Sequence, residues 1–153
     1  TVLGTGWQRL FCTPHGRNRV MNPVRWGILG TAEIALTRVI PAMQSCEHSV
    51  VTAIASRVLE KAQEAAAQHG IAHAYGSYAA LLDDPDIDVV YNPLPNHLHL
   101  EWSVRALRAG KHVLCEKPIA MNQAEVHQLI RVRDETGLHI EEAIMIRNHD
   151  KLS

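Results

Sequence analysis

Four short stretches of this chain carry residue types that could do chemistry together. Gly30, with Ala32 and Ala35 behind it, follows an apolar run and has the form of a degraded G-x-G-x-x-G turn. Gly30 permits a sharp turn, small Ala32 lets the main chain approach a pyrophosphate, and Ala35 allows close helix packing. The unpaired N–H groups that open the following helix, from Thr31 to Ile34, are a ready phosphate site, although Glu33 sets a carboxylate beside it. Ser56 and Arg57 stand where an acidic residue would bond a ribose 2′-hydroxyl. A hydroxyl and a guanidinium suit a 2′-phosphate instead, and Lys61 is expected to share a helix face with Arg57. Asn92-Pro93-Leu94-Pro95-Asn96 is a rigid loop, because two prolines forbid ladder bonds, and Glu116-Lys117-Pro118 offers a lysine that can give or take a proton.

These stretches need strands to hold them, and the hydropathy pattern supplies candidates. Val24 to Leu29, Ser49 to Ala55, His73 to Tyr75, Asp88 to Tyr91, His112 to Cys115 and Leu138 to Ile146 read as six strands. Helical patterns alternate with them. The first should kink or restart at Pro41, the second ends at Gly70, and a third is capped by Ser77. Asn96 is the expected N-cap of a helix running to Ala109, with Leu98 and Trp102 on one apolar face and Leu100, Val104 and Leu107 on another. Asn122 and Glu125 resemble a capping box for a last helix whose inner face is Val126, Leu129 and Ile130. Continuously apolar strands alternating with helices require a parallel sheet covered on both faces. The fold class is therefore α/β, a doubly wound, Rossmann-like sheet, and all four stretches fall at the carboxyl ends of its strands.

The 153 residues suit one core, with 46% hydrophobic and 20% charged residues. A net charge of -1 argues against nucleic acid or an anionic membrane, and no apolar stretch approaches the roughly 18 residues of a membrane span. Three cysteines without C-x-x-C spacing argue against a disulfide framework or a zinc site and point to a reducing, cytoplasmic setting. The ten histidines complete no ligand set, so no metal is expected. Residues 1–21 lack periodicity and read as an unstructured leader, either upstream sequence before a natural start at Met21 or an arginine-bearing transit peptide. The nucleotide-binding domain is expected over 22–149.

Ala109-Gly110-Lys111-His112-Val113-Leu114-Cys115-Glu116-Lys117-Pro118 resembles the A-G-K-H-V-x-x-E-K-P motif of the Gfo/Idh/MocA oxidoreductases. Gly27-Ile28-Leu29-Gly30-Thr31-Ala32, Ala55-Ser56-Arg57 with Lys61-Ala62, Pro95-Asn96 with His99, and Glu142-Ala143 with Met145 and Arg147 are similar to further family segments. The resemblance implies hydride transfer between the nicotinamide of NADP, or of NAD, and a CH–OH group of a sugar, polyol or diol. It places Lys117 beside the nicotinamide as the catalytic residue. It also implies cofactor contacts from Gly30, Thr31, Ala32, Glu33, Ile34, Ser56, Arg57, Lys61, Pro93, Leu94, Asn96, His99, Glu116 and Lys117.

Family members carry a second α/β domain that supplies the substrate pocket, whereas this chain ends at Ser153, and Asp150-Lys151-Leu152-Ser153 reads as a tail outside the family pattern. The expectation is a fragment that binds cofactor, is inactive alone, and self-associates through the surface meant for the missing domain. The alternative is a non-catalytic nucleotide-binding or interaction module that reuses the fold.

Overall fold

The computed structural model describes residues 22–144, so the leader, Met145, Arg147, His149 and the tail lie outside the described residues. Six strands, β1 (Val24–Leu29), β2 (Ser49–Ala55), β3 (His73–Tyr75), β4 (Val89–Asn92), β5 (His112–Cys115) and β6 (Ile140–Glu142), form one sheet in the order β3-β2-β1-β4-β5-β6. Every pairing is parallel, so each connection must cross over a face of the sheet. The order reverses between β1 and β4, as a doubly wound sheet requires.

Alternate strand residues go to opposite faces. Leu29, Ala55, Val90, Val113 and Cys115 pack with α3 (Tyr78–Leu82), α4 (His99–Arg108) and α5 (Gln123–Thr136). Ile28, Ile54, Tyr91 and Leu114 pack with α1 (Ile40–Gln44) and α2 (Leu59–His69). Both faces are therefore buried, which is why the strands read as continuous apolar runs rather than alternating ones. Pro41 sits in the first turn of α1, and a π-wound segment, Ala35–Val39, precedes it. The Ile40 N–H reaches back to the Ala35 carbonyl. The helix thus restarts at Pro41, whose ring supplies no donor.

Several sequence expectations need correction. Asn96 does not cap α4: a 3₁₀ turn, Asn96–Leu98, intervenes, and no side chain caps either segment. The inner face of α5 is Leu129 and Val132, while Val126 and Ile130 are 37% and 38% exposed. The face is set by where the helix meets α4 and the sheet, which the local pattern does not encode. Asn122 accepts from the Glu125 N–H as a capping box requires, but the Glu125 carboxylate bonds the N–H of Met121, one residue before the cap. Within the described residues β6 is only Ile140–Glu142, shorter than the apolar run suggested. Cys115 is free and buried.

Lys111, only 6% exposed, donates through Nζ to the carbonyls of Asp84 (2.6 Å) and Ile87 (2.9 Å), locking the loop between α3 and β4 from below β5. Lys111→Met should cost about 2–3 kcal/mol, because two carbonyls lose a charged donor. Urea unfolding measures this, and an unchanged midpoint would show that water replaces the ammonium.

Candidate functional site

The carboxyl ends of the strands bring most of the chemically competent residues to one edge. The Gly30 N–H bonds the Ala55 carbonyl (2.7 Å), the Ser56 N–H that of Tyr75 (3.0 Å), and the Glu116 N–H that of Asn92 (3.0 Å), so ladder bonds run on into each loop before the chains diverge. Gly30 has φ +85, which side-chain-bearing residues rarely adopt. A Cβ there would lie 3.0 Å from Leu94 Cδ2, so the turn after β1 and the loop after β4 are in contact. Among the described residues, the main-chain N–H groups of Thr31, Ala32 and Glu33 have no acceptor. Thr31 and Ala32 are half-buried, and Glu33 and Ile34 are exposed. This cradle fits an anionic phosphate, and the Glu33 main-chain carbonyl accepts from the Thr37 hydroxyl.

Ser56 is buried, and its Oγ accepts from the Val58 N–H (3.3 Å), a turn that leaves the hydroxyl proton for another partner. Arg57 and Lys61 are exposed and form no side-chain hydrogen bond or ion pair among the described residues. They do not share a helix face, since Arg57 lies in the bend before α2 and the helix begins only at Leu59.

Lys117 is exposed beside β5, and its peptide bond to Pro118 is cis. Its ammonium makes no ion pair with Glu116. The Glu116 carboxylate instead accepts from the Tyr91 hydroxyl (2.7 Å) and from the Lys117 main-chain N–H (3.2 Å). Burial first, and then Glu116, push the Tyr91 hydroxyl well above the ordinary phenol range, so it remains a donor. The Cys115 thiol is pushed up to about 12, chiefly by burial, and it stays an inert thiol at the strand end.

Pro93 and Leu94 are buried, and Asn96 is exposed. His99 is turned inward: it is 1% exposed, with Nε2 2.6 Å from the Leu94 carbonyl oxygen and Nδ1 2.7 Å from that of Pro118. Both ring nitrogens therefore face main-chain oxygens, and the one that carries the proton donates. Sequence reasoning gave Tyr91 and Ser103 no part in this edge, and it marked Asn92 and Glu142 only as members of their segments. Asn92, fully buried, donates to the His99 carbonyl (3.2 Å) and to Ser103 Oγ (3.1 Å), and its Oδ1 accepts from the Leu94 N–H. Glu142 accepts from the Ile119 N–H (2.8 Å). A polar Asn closing the apolar run at β4 was the one available signal.

Among the described residues no cluster of His, Cys, Asp or Glu could hold a metal ion, and no helix is long and apolar enough to cross a membrane.

The model of an oxidoreductase family with an NAD-binding Rossmann fold matches residues 24–142. An uncharacterized oxidoreductase of Rhizobium meliloti is 57% identical over 129 residues, covering 84% of this chain and 39% of that protein. D-xylose 1-dehydrogenase (NADP(+)) 2 of Haloferax volcanii is 47% identical over 124 residues, covering 81% and 38%. A crystal structure of KijD10, a 3-ketoreductase from Actinomadura kijaniata in complex with NADP and TDP-benzene, superposes with a TM-score of 0.83 at 43% identity, covering 86% of this chain and 40% of that one. The chain thus spans about two fifths of the length of these relatives. Motif order, sheet topology and the family match agree, and the chain belongs to the Gfo/Idh/MocA oxidoreductases through their NAD-binding Rossmann domain.

Proposed function

We propose that this chain is the cofactor-binding part of an NADP(H)-dependent oxidoreductase that acts on a CH–OH group of a sugar, polyol or diol. The observation that carries the reading is the Arg57 guanidinium, without a hydrogen bond or ion pair among the described residues, on the same sheet edge as the Gly30 turn and Lys117. Relatives described as NADP-dependent, or crystallised with NADP, support the phosphate-bearing form of the cofactor.

In this reading the N–H groups of Thr31 and Ala32 hold the pyrophosphate, and Ser56, Arg57 and Lys61 hold the 2′-phosphate. Pro93 and Leu94 wall the cleft. The bound nicotinamide supplies or accepts the hydride. Lys117, exposed and free of an ion pair with Glu116, exchanges the proton of the alcohol or carbonyl oxygen. Glu116 keeps the lysine's main chain in place through its bond to the Lys117 N–H, with Tyr91 fixing the carboxylate from beneath. The substrate and the rest of its pocket are proposed to come from the part of the family's proteins that this chain does not span.

Titrating NADPH with the chain and following nicotinamide fluorescence tests the reading. Saturable enhancement is expected, and no change at high protein concentration would count against it. The reading also predicts self-association through the apolar side chains of α5 and the loop before it, Met121, Val126 and Ile130. Sedimentation equilibrium should show a mass rising with concentration, and a strict monomer would remove this part of the proposal.

A further inference from the structure

We propose that His99 is a positioning residue that ties the loop after β4 to the loop carrying Lys117, so that the two ends of a bound dinucleotide are held in one fixed relation. This rests on the cofactor reading above.

His99 opens α4 and points between the two loops. Its Nε2 meets the Leu94 carbonyl at 2.6 Å, and its Nδ1 meets the Pro118 carbonyl at 2.7 Å. The ring nitrogen that carries the proton donates to its carbonyl, and the other is packed in contact with the second, so the imidazole spaces the two loops through both of its edges. Leu94 in turn packs against the Gly30 turn, its Cδ2 at 3.0 Å from where a Gly30 Cβ would stand. Pro118 directly follows Lys117. A line of contact therefore crosses the sheet edge from the phosphate turn through Leu94, His99 and Pro118 to the lysine.

The line has a rigid backing. Asn92, buried at the end of β4, donates to the carbonyl of His99 itself and to Ser103 Oγ one turn further along α4, so the imidazole cannot drift with the helix. On the far side of Pro118, Glu142 of β6 takes the Ile119 N–H. Glu142 and Tyr91 each brace one side of the Lys117 loop, whereas His99 touches both loops. Losing it should leave the adenosine end of the site intact and loosen the nicotinamide end.

The test is calorimetric titration of the 153-residue chain with NADP+ and, separately, with 2′,5′-ADP, which carries the adenosine and 2′-phosphate but no nicotinamide. His99→Ala removes both contacts. His99→Gln keeps a donor near the Nε2 position and gives up the Pro118 contact, and it carries the test should His99→Ala fail to fold. The expected result is 2′,5′-ADP affinity within about twofold of the parent and NADP+ binding about tenfold weaker, a split that general loss of structure does not produce. Unchanged NADP+ affinity, or equal loss for both ligands, would overturn the proposal while leaving the cofactor reading in place. A parent chain that binds neither ligand would overturn the cofactor reading itself.

Discussion

Arg57→Asp should turn the cofactor preference from NADP(H) to NAD(H). Arg57 is exposed and has no competing partner among the described residues, so a 2′-phosphate would meet a free guanidinium. Charge-assisted hydrogen bonds of this kind contribute about 1.5–3 kcal/mol, or roughly 10- to 150-fold in affinity. Solvent screening at an open site favours the lower part of that range. The aspartate removes the attraction, repels the phosphate, and offers an acceptor to the ribose 2′-hydroxyl of NAD. The two changes act in opposite directions on the two cofactors, so the ratio of their dissociation constants should move by about 100-fold. Calorimetry of parent and variant with each cofactor measures it, and raised salt should shrink the parent's preference. An unmoved ratio would mean that the 2′-phosphate does not contact this bend.

Gly30→Val should abolish cofactor binding while leaving a folded domain. The substitution forces a β-branched residue into φ +85, a conformation that costs about 1–2 kcal/mol even before crowding. Its Cβ would press on Leu94 Cδ2 at 3.0 Å, and its methyl groups would stand where the main chain must approach a pyrophosphate. The turn can relieve the clash only by moving the N–H groups of Thr31 and Ala32, the donors that the phosphate needs. We expect NADPH affinity to fall by about 100-fold or more, a loss near 2.7 kcal/mol, with the circular dichroism spectrum retained. Binding within threefold of the parent would show that the phosphate sits elsewhere.

Much of the sheet edge was legible because parallel strands buried on two faces announce themselves. Ser49–Ala55 has the same bounds in sequence pattern and in structure, and the carboxyl ends of β1, β2, β4 and β5 carry the expected loops. What escaped was decided by contacts across the fold. His99 meets Pro118, 19 residues away, and Tyr91 bonds Glu116, 25 residues away, so neither role can be read from local spacing. Val126 and Ile130 obey helical periodicity as well as Leu129 and Val132 do. Only the position of α4 and the sheet decides which pair is covered. Arg57 missed the helix by two residues because Ser56 bonds the Val58 N–H and holds the chain in a bend.

The central claim is that a dinucleotide lies across this edge with its 2′-phosphate at Arg57 and its nicotinamide at Lys117. A crystal structure of the chain with NADP+ tests it most directly. The account predicts the pyrophosphate on the N–H groups of Thr31 and Ala32, the 2′-phosphate within hydrogen-bond distance of Arg57, and the nicotinamide ring beside Lys117. A cofactor bound in the reverse sense, or away from the carboxyl ends of β1, β2 and β5, would contradict it.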